Sequence, residues 1–377
     1  METITFYSYK GGVGRTLAPA NIAMYLRRFG LKVCLLDFDL EAPGLHYKFI
    51  QNPKPDDIKS GLLDYIYEFT QTGNMPRDFV PLSIEIAPKT ERYGLIRLIP
   101  AGNVLSNEYW KKLASIDWHS MFYREDSEGV PFFLELKERI EIEFNPDFLL
   151  IDSRTGVTEM GGVCTALLPD KIVFFIANNQ ENIDGARQII KGIKKANRLP
   201  GQNPIEVVLA LTRIPSDEKR ENQIITNLLN NLNEGITDIN KLLTTQDICV
   251  LHSDRELEFS ESLRFGKNKP DIETSLTYDY QRFFLKALSK DFISANIDNI
   301  IDILDNVDSL SYDKVQVKSI LETLSSTIKC PRAFERLIDF YIRSNELAVP
   351  IRNAFYELKK ISDTIDPKIL SKVQKYL

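Results

Sequence analysis

The richest chemistry in the chain lies near its start, at Lys10-Gly11-Gly12-Val13-Gly14-Arg15-Thr16-Leu17. Closely spaced glycines allow consecutive backbone amides to converge on one point, and a helix starting just after them adds partial positive charge. Together these make a cradle for phosphate. Thr16 would then present its hydroxyl to Mg²⁺, provided that a strand precedes the loop and a helix follows it. The competing reading is a tight strand-to-helix turn whose glycines are incidental.

Acidic residues recur where such a site would need them. Asp37-Phe38-Asp39 closes the apolar run Val33-Cys34-Leu35-Leu36, and Phe148-Leu149-Leu150-Ile151 delivers Asp152. In an open parallel sheet, ligands bind beyond the carboxyl ends of the strands, so these carboxylates would meet the loop there. The bland alternative for Asp37 and Asp39 is a pair of solvated loop carboxylates. Ser153-Arg154-Thr155-Gly156 follows Asp152 directly. Arg154 could sense phosphate charge from its own or a facing subunit, or simply close a salt bridge within its loop.

Positioning these groups requires buried strands alternating with helices. Strand signals fall at residues 3–9, 32–38, 95–99, 148–151, 171–177, 205–211 and 248–251. Several are continuous apolar runs, as in Ile172-Val173-Phe174-Phe175-Ile176, which marks strands buried on both faces. Helical periodicity appears at Ile22, Ala23, Leu26 and Phe29 before a stop at Gly30, and again over 183–193 and 224–232. The pattern predicts a doubly wound, mainly parallel α/β domain over residues 1–270. Residues 41–145 read as an insertion carrying specificity, with a helix near 62–69, one strand, and an amphipathic helix over 132–142. From 271 to 377 only helical periodicity remains, with apolar faces at Ile297/Ile300/Ile301/Leu304, Val317/Ile320/Leu321/Leu324 and Phe334/Leu337/Ile338/Tyr341. An all-α domain for partner or self recognition is expected there.

Composition sets further bounds. At 377 residues, 43% hydrophobic and 27% charged, the chain can bury a full core, and its net charge of −6 gives no global attraction to nucleic acid or anionic lipid. Cys34, Cys164, Cys249 and Cys330 form no C-x-x-C pair, which suits a reducing cytoplasm rather than a disulfide or zinc framework. His46, His119 and His252 are far apart and suggest no metal constellation. Strand signals begin right after Met1, so no leader is expected, and no apolar run approaches the roughly 20 residues of a membrane span. Ile369, Leu370, Val373 and Leu377 line one face of a last helix flanked by Lys368, Lys372 and Lys375. Docking against the protein is expected of that helix in preference to membrane binding.

The loop, read as Lys-Gly-Gly-x-Gly-Arg-Thr, resembles the deviant Walker A motif of the ParA/MinD family, Lys-Gly-Gly-x-Gly-Lys-Ser/Thr. Asn21, Gly30, Asp37, Asp39 and Pro43 continue the resemblance, Asp152 is similar to the Walker B aspartate, and the residues after it are similar to the MinD-like switch II. The resemblance implies an ATP- and Mg²⁺-dependent ATPase with slow hydrolysis. Gly11 to Leu17 and Gly156 would surround the phosphates, and Thr16, Asp37 and Asp152 would serve the metal. Asp39 would position water, while Lys10 would cross a homodimer bridged by ATP. By the same resemblance the base would lie near Thr212, Arg213 and residues 251–254. The segment Thr212-Arg213-Ile214-Pro215-Ser216-Asp217 lacks a guanine-reading motif, so adenine is expected. The resemblance also implies relay of the nucleotide state to a protein partner. A low-turnover assembly module and a DNA-partitioning ATPase are the competing readings. Cys164, in the region where relatives bridge iron–sulfur clusters, reads as core.

The pattern breaks at three places. Arg15 replaces the loop lysine, and its planar fork is not equivalent to a compact ammonium. Pro19 falls where a helix begun in the loop would be disrupted. Arg154 stands where the MinD version has proline.

Overall fold

The computed structural model describes residues 1–49, 57–76, 82–90, 93–195, 202–215, 218–236, 242–255, 257, 261–265, 275–288, 290–298, 300–301, 318, 321–322, 324–326, 329–345 and 347–377. The chain divides into two compact units, Met1–Leu276 and Thr277–Leu377.

The first unit is built on a sheet of β1 (Glu2–Ser8), β2 (Val33–Asp37), β3 (Ile84–Ala87), β4 (Ile96–Ile99), β5 (Phe148–Asp152), β6 (Lys171–Ala177), β7 (Glu206–Ile214) and β8 (Ile248–His252). Their order is β3-β4-β2-β5-β1-β6-β7-β8. Every described pairing is parallel except the antiparallel edge pair β3–β4. Alternation distributes the side chains between two buried faces. Ile4, Phe6, Leu150, Val173 and Phe175 take one, and Tyr7, Ile151, Ile172 and Phe174 take the other. A sheet dry on both sides explains why these strands read as unbroken apolar runs.

Helices α1 (Leu17–Leu26), α2 (Leu62–Thr72), α3 (Asn107–Ser115), α4 (Trp118–Tyr123), α5 (Gly129–Phe144), α6 (Glu159–Gly162), α7 (Gln180–Lys195) and α8 (Glu218–Asn233) complete this unit. Residues 41–145 are no mere insertion. They supply β4, which extends the parallel ladder beside β2, and α2 and α5, which pack on Leu36, Phe38 and Ile151. Strand β3 escaped notice because Ile84-Glu85-Ile86-Ala87 is a four-residue edge strand, though its apolar–polar alternation is a usable signal.

The disruption expected at Pro19 does not arise, because α1 begins only at Leu17. Pro19 therefore sits in the first turn, where a backbone N–H would have no intrahelical partner. Gly30 ends the helical stretch in the left-handed conformation, at φ 76°. All of α1 is buried, including Asn21, whose amide must be satisfied internally. Its Oδ1 accepts from the Arg264 backbone N–H (2.7 Å), and its Nδ2 donates to the Leu17 carbonyl (3.0 Å). This one side chain ties the helix after the loop to a segment 243 residues away.

In the second unit, Phe334, Leu337, Ile338 and Tyr341 are buried on the helix Pro331–Arg343, and Leu321 and Leu324 are buried as expected. Leu304, Val317 and Ile320 lie outside the described residues. On the last helix, Pro367–Val373, Ile369 and Val373 are buried, and Lys372 pairs with Asp339 of the helix Pro331–Arg343 at 2.5 Å. Ile369 and Val373 are docked, whereas Leu370 and Leu377 of the same expected face are exposed. No described helix is long and apolar enough to cross a membrane.

Two outcomes test these packing arguments. Replacing Asn21 with leucine leaves the buried Arg264 N–H without its acceptor and should cost about 1–3 kcal/mol in urea unfolding; an unchanged midpoint would contradict the tie. His46 is buried, neither ring nitrogen has a hydrogen-bond partner among the described residues, and burial lowers its pKa to about 4. The unfolded value is near 6.5, so the unfolded chain binds the proton more readily between these values. Its contribution is intact above pH 6.5 and declines toward pH 4, by roughly 1–3 kcal/mol. His46→Phe should flatten that part of the stability–pH curve, and an unaltered slope would contradict the argument.

Candidate functional site

The loop leaves β1 at the carboxyl edge of the sheet and reaches α1 through two left-handed glycines, Gly12 (φ 74°) and Gly14 (φ 82°). Side chains strain at such angles, which accounts for glycine there. A Cβ added at Gly11 or Gly14 would meet nothing within 4 Å, so the loop backbone faces open space. The Thr16 side chain makes no capping hydrogen bond to α1 and is not committed to the helix. Val13 and Leu17 are buried and anchor the loop from below.

Strand register assembles the carboxylates. Asp37 and Asp152 are direct partners on adjacent parallel strands, and Phe6 of β1 pairs with Asp152 from the other side. Both aspartates are fully buried. Asp37 Oδ2 accepts from the Leu45 N–H (3.2 Å) while Oδ1 has no partner. Asp152 Oδ1 accepts from Arg15 Nε (3.0 Å) while Oδ2 has none. Asp39 accepts from Arg15 Nη2 at 2.6 Å through Oδ2, and from the Ala42 N–H at 3.2 Å through Oδ1. Burial, reinforced by the neighbouring Asp152 charge, pushes the Asp37 carboxyl well above the usual carboxylate range. Burial also raises Asp152, against the opposing pull of Arg15 and Thr16. Burial disfavours the Arg15 charge too, but Asp152 and Asp39 outweigh it and hold the guanidinium protonated.

Arg15 thus differs from its expected position. Its guanidinium points inward, 7% exposed, and bridges Asp39 and Asp152. The planar fork suits two carboxylates that the fold holds close together and otherwise unpaired.

The other basic groups sit around the loop. Lys10 is half-exposed and paired with Glu181 of α7 at 2.6 Å. Arg154 makes an ion pair with Glu41, joining the loop after β5 to the loop after β2. Arg213 leaves β7 at φ 60°, and its Nη2 lies 3.5 Å from where a Cβ on Gly12 would be. Thr212 is buried beside it. The expected phosphate and base regions are therefore adjacent at Gly12. Gly156, at φ 78°, receives a hydrogen bond to its carbonyl from the Tyr7 hydroxyl (2.6 Å), and Ser153 Oγ donates to the Phe6 carbonyl (2.8 Å). Tyr7 and Ser153 fasten the loop after β5 to β1. Tyr7 escaped the sequence reading because it looks like any strand residue. Cys164 is buried and free in a single π-turn, Val163–Leu167.

The donor set bears on which ligands fit. Among the described residues no three His, Cys, Asp or Glu side chains form a ready-made metal centre. However, Mg²⁺ keeps several waters and needs only one or two protein carboxylates beside phosphate oxygens. The unpartnered oxygens of Asp37 and Asp152, with the Thr16 hydroxyl, are hard donors of that kind. Arg15 pairs with Asp39 and Asp152 only, so three neighbouring carboxylates against one guanidinium leave a deficit that a divalent charge would offset.

Cutting the Arg15 bridge should expose its energetic role. Arg15→Ala leaves Asp39 and Asp152 without their cation and should lower stability by roughly 3–5 kcal/mol. Adding Asp152→Asn should restore part of that, giving a coupling above about 1 kcal/mol. Strictly additive losses would contradict a shared buried bridge.

Known proteins frame this geometry. Among solved structures, a ParA family ATPase from Chlorobium tepidum TLS is 17% identical, with 75% of this chain and 98% of that one covered and a TM-score of 0.48. The septum site-determining protein MinD from Pyrococcus horikoshii OT3, complexed with Mg-ADP, is 16% identical over 71% and 90% at 0.47. A pNOB8 ParA bound to nonspecific DNA is 16% identical over 80% and 99% at 0.46. No curated protein matches the chain. The CobQ/CobB/MinD/ParA nucleotide binding domain matches residues 4–235, well over half of the sequence and all of the loop, carboxylate and switch segments. The chain belongs to that family of nucleotide binding domains.

Proposed function

We propose that this protein is a Mg²⁺-dependent ATP switch: ATP closes two copies into a homodimer, hydrolysis reopens it, and the helical unit relays the state to a partner protein. The observation that carries this reading is the convergence, on one sheet edge, of an open glycine cradle, the Thr16 hydroxyl and the free oxygens of Asp37 and Asp152. Bound Mg²⁺ would neutralise phosphate charge there, held by Thr16, Asp37 and Asp152. Gly11 to Leu17 and Gly156 would line the phosphates.

The protein's own groups have separable tasks. Asp39 is the candidate for orienting the attacking water, since phosphoryl transfer depends mainly on positioning and charge stabilisation. Its bond to Arg15 fixes where that carboxylate points. Lys10 lies outermost, and exchanging Glu181 for a partner's phosphates would favour the dimer. Arg154 could make the same kind of exchange, from Glu41 to phosphate. Val157, 78% exposed beside Gly156, offers apolar surface for the same contact.

Acidity of the whole chain is no bar to nucleic acid, because a local basic face would suffice.

Phosphate release and oligomeric state test the reading. Wild type should release phosphate slowly and only with Mg²⁺, and Asp39→Ala should lower the rate about 100-fold or more while still binding ATP. Equal, negligible rates for both would favour an assembly module without turnover. In size-exclusion chromatography, ATP with Mg²⁺ should shift Asp39→Ala to the dimer. Adding Lys10→Ala should return it to the monomer, and an unchanged elution would refute the trans role.

A further inference from the structure

We infer that Arg213 supplies a same-chain cation that contacts the nucleotide phosphates. The inference rests on the ATP-binding reading above. Three independent observations place the charge there.

The first is backbone geometry. Arg213 is one of few described non-glycine residues at positive φ, and it occupies a bulge where the β7–β8 register skips from Thr212 to Ile214. A long side chain in the left-handed region is costly, and bulges re-aim side chains next to functional sites. Its neighbours Thr212 and Ile214 are both buried, so the strand is fixed on either side and the strain is maintained.

The second is direction. The bulge sends the guanidinium to the phosphate loop, where Nη2 stands 3.5 Å from the Cβ position of Gly12, the first left-handed residue of the cradle.

The third is charge accounting among four basic side chains around the loop. Arg15 is bound to Asp39 and Asp152, Lys10 to Glu181, and Arg154 to Glu41. Arg213 is exposed and has no ion pair or side-chain hydrogen bond among the described residues. A solvated guanidinium pointing at open backbone amides is suited to an anion with several oxygens. The chemical class we assign to it is a di- or triphosphate, whose several oxygens match the donors of the guanidinium.

Glycine is the informative substitution, because Arg213→Gly removes the guanidinium and also relieves the backbone strain. Titrations of ATP, inorganic pyrophosphate and adenosine, each with Mg²⁺, should be run on wild type, Arg213→Gly and Arg213→Lys. ATP and pyrophosphate should bind Arg213→Gly about 10- to 100-fold more weakly. Adenosine should be unaffected within about two-fold, Arg213→Lys should recover part of the loss, and the unfolding midpoint of Arg213→Gly should be equal to wild type or higher. Unchanged ATP affinity would overturn the inference. Equal weakening of ATP and adenosine would also overturn it, since that marks a contact to the base. If wild type itself binds neither ATP nor pyrophosphate, the ATP-binding reading fails first and takes this inference with it.

Discussion

Asp37, Asp39 and Asp152 are buried together at one sheet edge with Arg15, and the architecture of the first unit can be read as the means of holding them there. Carboxylates do not gather in a protein interior without compensation, because each loses its hydration on burial. Here Arg15 covers one oxygen each of Asp39 and Asp152, while Asp37 Oδ1 and Asp152 Oδ2 have no partner. Burial raises the pKa of Asp37 and Asp152, in keeping with the same deficit. The cluster is suited to accept positive charge.

Register explains how the fold holds this arrangement. Adjacent parallel strands bring Asp37 and Asp152 level, and β1, on the other side of β5, opens into the glycine loop at the same height. A slip of one residue would turn the carboxylates to the opposite face of the sheet. Dry packing on both faces prevents such a slip. Asn21 then joins the start of α1 to the segment around Arg264, and Tyr7 joins β1 to Gly156. Each link fixes one piece of the site to a different part of the unit.

Much of this was legible in the residues. Apolar runs located seven of the eight described strands, and glycine spacing with Asp37, Asp39 and Asp152 picked out a loop and carboxylates that the fold brings to one sheet edge. The remainder depended on tertiary direction, which one-dimensional patterns do not encode. The inward turn of Arg15 follows from carboxylates contributed by β5 and by the loop after β2. The harmlessness of Pro19 follows from the helix starting at Leu17, because the loop continues further than its motif suggests. Arg213 read as part of a base loop, and the bulge that brings its guanidinium near Gly12 has no signature in the sequence. The span 41–145 looked inserted because its strands are short and far apart, yet β4 belongs to the central ladder.

Calorimetric titration of the folded protein with ATP, in Mg²⁺ and then in excess chelator, addresses the uncovered carboxylates most directly. One saturable site per chain, lost or severely weakened without the divalent ion, is the result that the buried charge deficit predicts. Absence of binding, or binding indifferent to the metal, would contradict it.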